Sequence, residues 1–151
     1  MGSVELDELD KSILKLLQKD ARLPFAEIGR NLDIAETTVR FRVNRLVESG
    51  VITRFAALLD PEKVGLTVGG AILLKVDPSH LEEACKQLTG FDETQYLFRS
   101  TGEYDLVSMI LARDMEHLND LVKRTKMIAG VKDARLSVTT KMLKFAPSIE
   151  L

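Results

Sequence analysis

One cysteine, Cys85, and two histidines, His80 and His117, are all that 151 residues offer for thiol and imidazole chemistry. A lone cysteine excludes an internal disulfide, and its place in a helical pattern makes it a small apolar core residue. No histidine pair stands at metal-ligand spacing, no glycine-rich phosphate loop occurs, and no nucleophilic triad has a credible neighbourhood. Metal and nucleotide chemistry therefore have no foothold, and no cofactor is expected. No apolar run reaches the length of a membrane helix, and the acidic stretch Met1 to Asp10 is no basic-then-apolar leader. The expectation is a soluble, cytoplasmic protein. An excess of positive charge is missing too: the net charge is −2, which excludes a globally basic nucleic-acid binder.

What is present is ordinary globular material, with 45% hydrophobic and 29% charged residues, enough apolar surface for a core. The length fits one domain or two small ones. Charge is nevertheless unevenly placed. Between residues 22 and 54 six arginines (Arg22, Arg30, Arg40, Arg42, Arg45, Arg54) face four acids (Glu27, Asp33, Glu36, Glu48). Guanidinium forks suit phosphate and guanine, although arginine clusters also occur as solvated helix faces.

Periodicity divides the chain. Leu6, Leu9, Ile13, Leu14, Leu16 and Leu17 recur at helical steps after a capping Asp7, predicting a helix to about Lys19. Pro24 starts a short second helix through Phe25, Ile28 and Leu32, and Asn31 and Asp33 supply a turn. A third helix begins near Ala35, buries Val39, Val43, Leu46 and Val47, and stops at Gly50. Three helices in fifty residues with a tight final turn form a helix-turn-helix pattern. Val51 to Leu59 reads as a connecting strand closed by Asp60-Pro61. From Ala71 the order β-α-β-β-α-β follows, with a final strand from Val131 to Phe145, the ferredoxin-like arrangement of an α+β protein. The predicted organisation is a DNA-binding domain over 1–50, a connecting strand over 51–61 and a second domain over 62–151.

With Val39, Val43, Leu46 and Val47 inward, Glu36, Thr37, Arg40, Phe41, Asn44 and Arg45 fall on or beside the opposite face of the third helix. Helix N-terminal residues read bases, so Glu36, Thr37, Arg40 and Phe41 are the candidate base contacts and Arg45 a phosphate contact. Phe41 meets a thymine methyl or packs on the segment that follows. Arg42 lies nearer the core boundary, where an ion pair with Glu48 or Glu27 competes with a phosphate. Thr38 completes the set. A second candidate site is Ser100-Thr101-Gly102-Glu103-Tyr104-Asp105, between two predicted strands. A glycine turn there presents N–H groups to a carboxylate, and acidic side chains pair with an ammonium. A plain hairpin loop is the other reading.

Longer motifs bear on that choice. The chain carries Leu6-Asp7-x-x-Asp10-x-x-Ile13-Leu14-x-x-Leu17-Gln18-x-Asp20-Ala21-Arg22 and then Thr38-Val39-x-x-Arg42-Val43-x-Arg45-Leu46-x-x-Ser49-Gly50-Val51-Ile52. Thr101-Gly102-Glu103-Tyr104-Asp105 and Gly130-Val131 follow. In that order and spacing the chain resembles the Lrp/AsnC family of feast/famine regulators. The resemblance implies a winged helix-turn-helix on double-stranded DNA, followed by a ligand-sensing RAM domain that forms homodimers and then rings, often octamers. It further implies that an amino acid or related metabolite binds near Thr101 to Asp105 at a contact between dimers, helped by Ser137 and Thr139. Arg99 and Glu103 would make that pocket zwitterionic. An enzymatic alternative exists, because siroheme decarboxylases resemble the same scaffold. Their pattern has histidines on the strand pair corresponding to Gln95 to Asp105, where this sequence has Tyr96 and Arg99 and no histidine. A third reading is a structural or metabolite-buffering oligomer with a vestigial DNA domain, against which Arg40, Arg42 and Arg45 stand.

Overall fold

Asp7 begins the first helix by a reciprocal cap: its Oδ1 accepts the Asp10 N–H (2.8 Å) while Asp10 Oδ2 accepts the Asp7 N–H (3.2 Å). That exchange satisfies two N–H groups a helix start otherwise leaves orphaned. In a computed structural model describing residues 5–145 and 147–151, the chain forms two compact units. One comprises the residues up to Leu58 together with Lys144–Leu151, and the other Leu59–Leu143.

The first unit packs α1 (Glu8–Lys19), α2 (Phe25–Leu32) and α3 (Glu36–Glu48) around Ile13, Leu17, Ile28, Val39 and Val43. Pro24 sits just ahead of α2, its φ of −60° and ψ of 140° setting the entry. The α2 to α3 turn is tight because Asp33 adopts φ 55° and Gly29 lets the chain approach closely. A Cβ on Gly29 would lie 2.7 Å from the Ile34 carbonyl oxygen. The last turn of α3 differs from expectation at Val47, which is exposed; Val39, Val43 and Leu46 already fill the inward face, and Val47 falls about a quarter-turn beyond Leu46. The tail returns to this unit, where the Gln18 side-chain amide donates to Ile149 O (3.0 Å) and accepts the Ile149 N–H (2.6 Å).

The expected connecting strand over Val51 to Leu59 is not one: these residues pair with no strand among the described residues and lie largely exposed. β-branched composition favours a strand only where a ladder partner exists.

The second unit is a four-stranded antiparallel sheet of β1 (Val68–Val76), β2 (Thr94–Arg99), β3 (Leu106–Ala112) and β4 (Val131–Val138), ordered β2-β3-β1-β4. Helices α4 (Leu81–Thr89) and α5 (Met115–Lys126) connect it in the β-α-β-β-α-β order of a ferredoxin-like fold. Pro78 opens a short 3-10 turn, Pro78–His80, ahead of α4, and Asp114 caps α5 by accepting the His117 N–H (2.8 Å). Ile72, Leu74, Val76, Leu106 and Ile110 point to the helices, where Ala84, Leu88, Leu118 and Leu121 complete the core. Cys85 packs at its margin. Among the described residues, the opposite sheet face carries neither of this unit's two helices. The last strand ends at Val138 rather than Phe145: the Thr139 N–H still bonds Gly69 O (2.8 Å), but β1 begins at Val68 and offers no partner to the residues that follow.

Candidate functional site

The exposed side of α3 is built by what its other side buries. Thr37, Arg40, Phe41 and Asn44 are all exposed. Phe41, 66% exposed, does not pack on the segment that follows. Arg40 is held at both ends of its guanidinium: Glu36 Oε1 accepts from it at 2.6 Å, and its Cζ stands 5.4 Å from the centre of the Phe25 ring. The result is a short, pre-oriented surface of one aromatic, one amide, one hydroxyl and one fixed guanidinium. Such a mixture can meet thymine methyls, adenine edges and guanine acceptors. Glu36 belongs to this surface as the anchor of Arg40, and Thr38 is half-buried beside Val39.

Arg42 and Arg45 are placed differently from the rest. Both are bonded to α1: Arg42 Nη1 to Asp7 and, at 3.2 Å, to Asp10 Oδ1; Arg45 Nη2 to Asp10 Oδ2. Asp10 is completely buried. Neither Glu48 nor Glu27 is the partner of Arg42, because the capping turn of α1 brings two carboxylates closer. The Arg42 guanidinium, joined by the Asp10 N–H, holds the Asp7 carboxyl down at about 2, and the bonds to the Asp7 and Asp10 carboxylates raise Arg42.

In the second unit, Gly102 adopts φ 137° with open space where a Cβ would stand, a backbone state that favours glycine. Asp105 is committed to the fold: its Oδ2 accepts the Val76 N–H (2.8 Å) and its own N–H donates to Leu74 O (2.8 Å). Thr101 and Glu103 are exposed. Tyr104 is the unusual member, since its hydroxyl is buried without a hydrogen-bond partner among the described residues. Two cations flank its ring, Lys75 Nζ at 5.5 Å and Arg135 Cζ at 5.7 Å from the centre, and Lys75 Nζ also stands 3.5 Å from Glu103 Oε1.

Those two cations were not among the residues singled out by sequence. The signal was there: Lys75 interrupts the apolar run of β1, and Arg135 lies opposite Leu73 on β4, both on the sheet face without helices. Arg99 instead bonds Glu82 on α4, which raises its pKa. Ser137 pairs with Ala71, whereas the loop hangs on Leu74 to Val76. Three residues of strand, roughly 10 Å, thus separate Ser137 from the loop within one chain, and Thr139 lies farther on.

Of the two histidines, His117 is half-buried and His80 is exposed. His117 Nε2 is 3.0 Å from Glu93 Oε1 and its Nδ1 accepts the Arg113 N–H at 3.3 Å. Burial pushes Glu93 up, but the bonds from His117 and Arg124 outweigh it and leave its pKa lowered. His80 Nδ1 contacts Ser79 Oγ at 2.9 Å. Tyr96 is exposed on the open sheet face. Among the described residues no cluster of three histidine, cysteine or acidic side chains is arranged to hold a metal, and no helix is long and apolar enough to cross a membrane.

Comparison with known proteins matches two stretches of the chain to family models. Residues 6–53 match a family described as winged helix-turn-helix DNA-binding, and residues 71–149 one described as the Lrp/AsnC ligand binding domain. Among curated relatives, an HTH-type transcriptional regulator of Pyrococcus horikoshii is 37% identical over 94% of this chain and 90% of its own length. The HTH-type transcriptional regulator Ptr1 of Methanocaldococcus jannaschii is 38% identical over 92% and 95%. Among solved structures, a transcriptional regulator of Neisseria meningitidis in complex with L-Met superposes with a TM-score of 0.91 at 26% identity, covering 97% of both chains.

Proposed function

The chain belongs to the Lrp/AsnC family of DNA-binding transcriptional regulators with a ligand-binding domain, and from that premise we propose that it is a sequence-specific regulator whose DNA affinity or assembly responds to an amino acid or related small metabolite. The observation that carries the proposal is the exposed face of α3, where Thr37, Arg40, Phe41 and Asn44 stand clear of the core. These four read base edges from the major groove, framed by Glu36, Thr38, Arg42 and Arg45. Residues 1–50 bind double-stranded DNA, 51–61 connect, and 62–151 sense and assemble.

The effector site forms around Thr101, Gly102, Glu103, Tyr104 and Asp105, with Lys75 and Arg135 as its cations and Arg99 at its edge. Ser137 and Thr139 join it from another copy, since their own strand positions lie away from the loop. The L-Met held by the Neisseria relative supports an amino acid as the ligand class. Self-association as a homodimer, and from dimers to an octamer, has support in the sheet face opposite α4 and α5. Tyr96 and Phe98 are 63% and 50% exposed there, beside Leu73, Val107 and Met109, an apolar patch of the kind that marks interaction surfaces. The chain works in the cytoplasm and is not an enzyme; the engagement of both ring nitrogens of His117 supports the latter.

Coupling follows linkage: an effector shifts DNA affinity only by binding one assembly more tightly than another, typically by about 1–3 kcal/mol, and DNA returns the same factor. The test has two arms on the full chain. Anisotropy of a fluorescent duplex from upstream of its own gene should show binding that weakens as salt rises. A thermal-shift screen of the twenty amino acids should give at least one stabilising hit that changes the duplex affinity. Salt-independent or absent binding at low ionic strength refutes the DNA reading; twenty flat melting curves refute the amino-acid reading.

A further inference from the structure

Within the reading of α3 as the DNA-facing helix, on which this inference rests, the arginines are not equivalent. Arg42 and Arg45 converge on one carboxylate, Asp10, whose side chain is wholly enclosed. Asp7 closes the cluster from above by taking Arg42 as well. Two cations and two carboxylates therefore cancel at the junction of α1 and α3.

The exchange of these partners for DNA phosphate is unfavourable for a physical reason. A phosphate is already solvated and screened by counterions, whereas an enclosed carboxylate that loses its guanidiniums has neither water nor counter-charge. Arg45, 44% exposed along its side chain, stays with Asp10 by the same logic. Arg40 differs, because its partner Glu36 is itself half-exposed and on the same helix, so releasing it strands nothing in the interior.

We propose that Asp10 is a positioning residue for DNA recognition: it withdraws Arg42 and Arg45 from phosphate contact and uses them to fix the rotation of α3 about its axis. Base reading then falls on Thr37, Arg40, Phe41 and Asn44. The two bonds attach Asp10 to positions 42 and 45, three residues apart on one side of α3, and two attachments resist rotation where a single one would act as a pivot. Arg42 and Arg45 belong to the motif that looks most like a basic DNA-binding stripe in the sequence, yet their task is internal.

The salt dependence of binding separates positioning from contact. Each phosphate neutralised on duplex DNA adds about 0.9 to the slope of log affinity against log salt. Full-length protein and its variants are titrated onto a mixed-sequence 40-base-pair duplex, and onto the duplex from upstream of its own gene, between about 50 and 200 mM salt. Arg45→Ala and Arg42→Ala should keep the wild-type slope while narrowing the preference for the upstream duplex several-fold. Asp10→Asn, which keeps the shape and removes the charge, should steepen the slope by about 0.9 as a guanidinium is freed for phosphate. A slope flattened by about 0.9 in Arg45→Ala, with preference between the duplexes intact, overturns the proposal. That variant decides alone even where Asp10→Asn does not fold, because Arg42 still neutralises Asp10 in it. Wild-type protein that binds neither duplex removes the functional reading itself, a result distinct from either slope.

Discussion

Replacing Tyr104 by phenylalanine deletes one oxygen and leaves the ring. The ring is what Lys75 and Arg135 approach, at 5.5 and 5.7 Å, so the cation–π contacts survive the change. The oxygen is buried and has no partner among the described residues, and a buried polar group left unsatisfied costs about 1–3 kcal/mol. Tyr104→Phe should therefore stabilise the ligand-free protein, by about 1 kcal/mol at the low end of that range. With a urea dependence of about 1–3 kcal/mol per molar, the unfolding midpoint moves up by roughly 0.5 M. The ligand-bound state responds with the opposite sign. If the hydroxyl finds its missing partner on the effector, losing it weakens effector binding by about 1 kcal/mol, near fivefold. Urea unfolding followed by circular dichroism reads the first quantity; calorimetric titration with the amino acid selected in the thermal-shift screen reads the second. A midpoint that falls would refute the reasoning, since it would mean the hydroxyl is already bonded in the free protein. A raised midpoint with unchanged effector affinity would move the effector away from Tyr104.

Three further outcomes follow from particular contacts. Gly29→Ala places a methyl 2.7 Å from the Ile34 carbonyl oxygen and should destabilise the first unit by about 1–3 kcal/mol through overpacking, seen as faster amide exchange in α2 and α3. Arg40→Ala, losing the exposed guanidinium that Glu36 and Phe25 orient, should lower discrimination between cognate and single-mismatch duplexes by about 1–3 kcal/mol in competition anisotropy. Asp7 titrates at about 2 instead of its ordinary 3.8; because the folded value is the lower one, its stabilising contribution is complete above the unfolded pKa and disappears as pH falls from near 4 through 2. Carboxyl-carbon NMR should record that depressed titration, and Arg42→Ala should return it toward 3.8.

Local signals were legible wherever the cause was local. The Asp7 cap and the end of α1 at Lys19 each follow from residues within one turn, and the two adjacent middle strands of the predicted β-α-β-β-α-β order are present as β2 and β3. Errors arose where the deciding partner is remote. Val51 to Leu59 has strand composition but no ladder partner among the described residues, and β4 cannot extend to Phe145 because β1 begins at Val68, two residues beyond the Gly70–Val138 pair. Likewise Asp10 and Arg45 are 35 residues apart, so periodicity could assign each to a helix face without revealing that the two faces meet. The candidate loop was visible through Gly102, whereas Lys75 and Arg135 reached it only through strand register.

Those remote pairings also set the strength with which one copy can hold DNA. Helix α3 carries three arginines and two glutamates, and each arginine has an anionic partner: Glu36 for Arg40, Asp7 and Asp10 for Arg42, Asp10 for Arg45. Nothing on the helix is an uncompensated cation, so the favourable counterion release that drives most protein–DNA association is small for a single protomer. The overall charge of −2 adds repulsion at long range. Specific contacts of a few side chains, each worth about 1–3 kcal/mol, cannot by themselves hold an operator against genomic competition. Joining two such surfaces turns the second contact into an intramolecular one and multiplies affinity by about 10²–10⁴ without any new charge. On the proposed reading, DNA affinity then depends more on association than on electrostatics. An effector that alters how copies associate through the second unit then controls DNA binding without touching the helix that reads the bases.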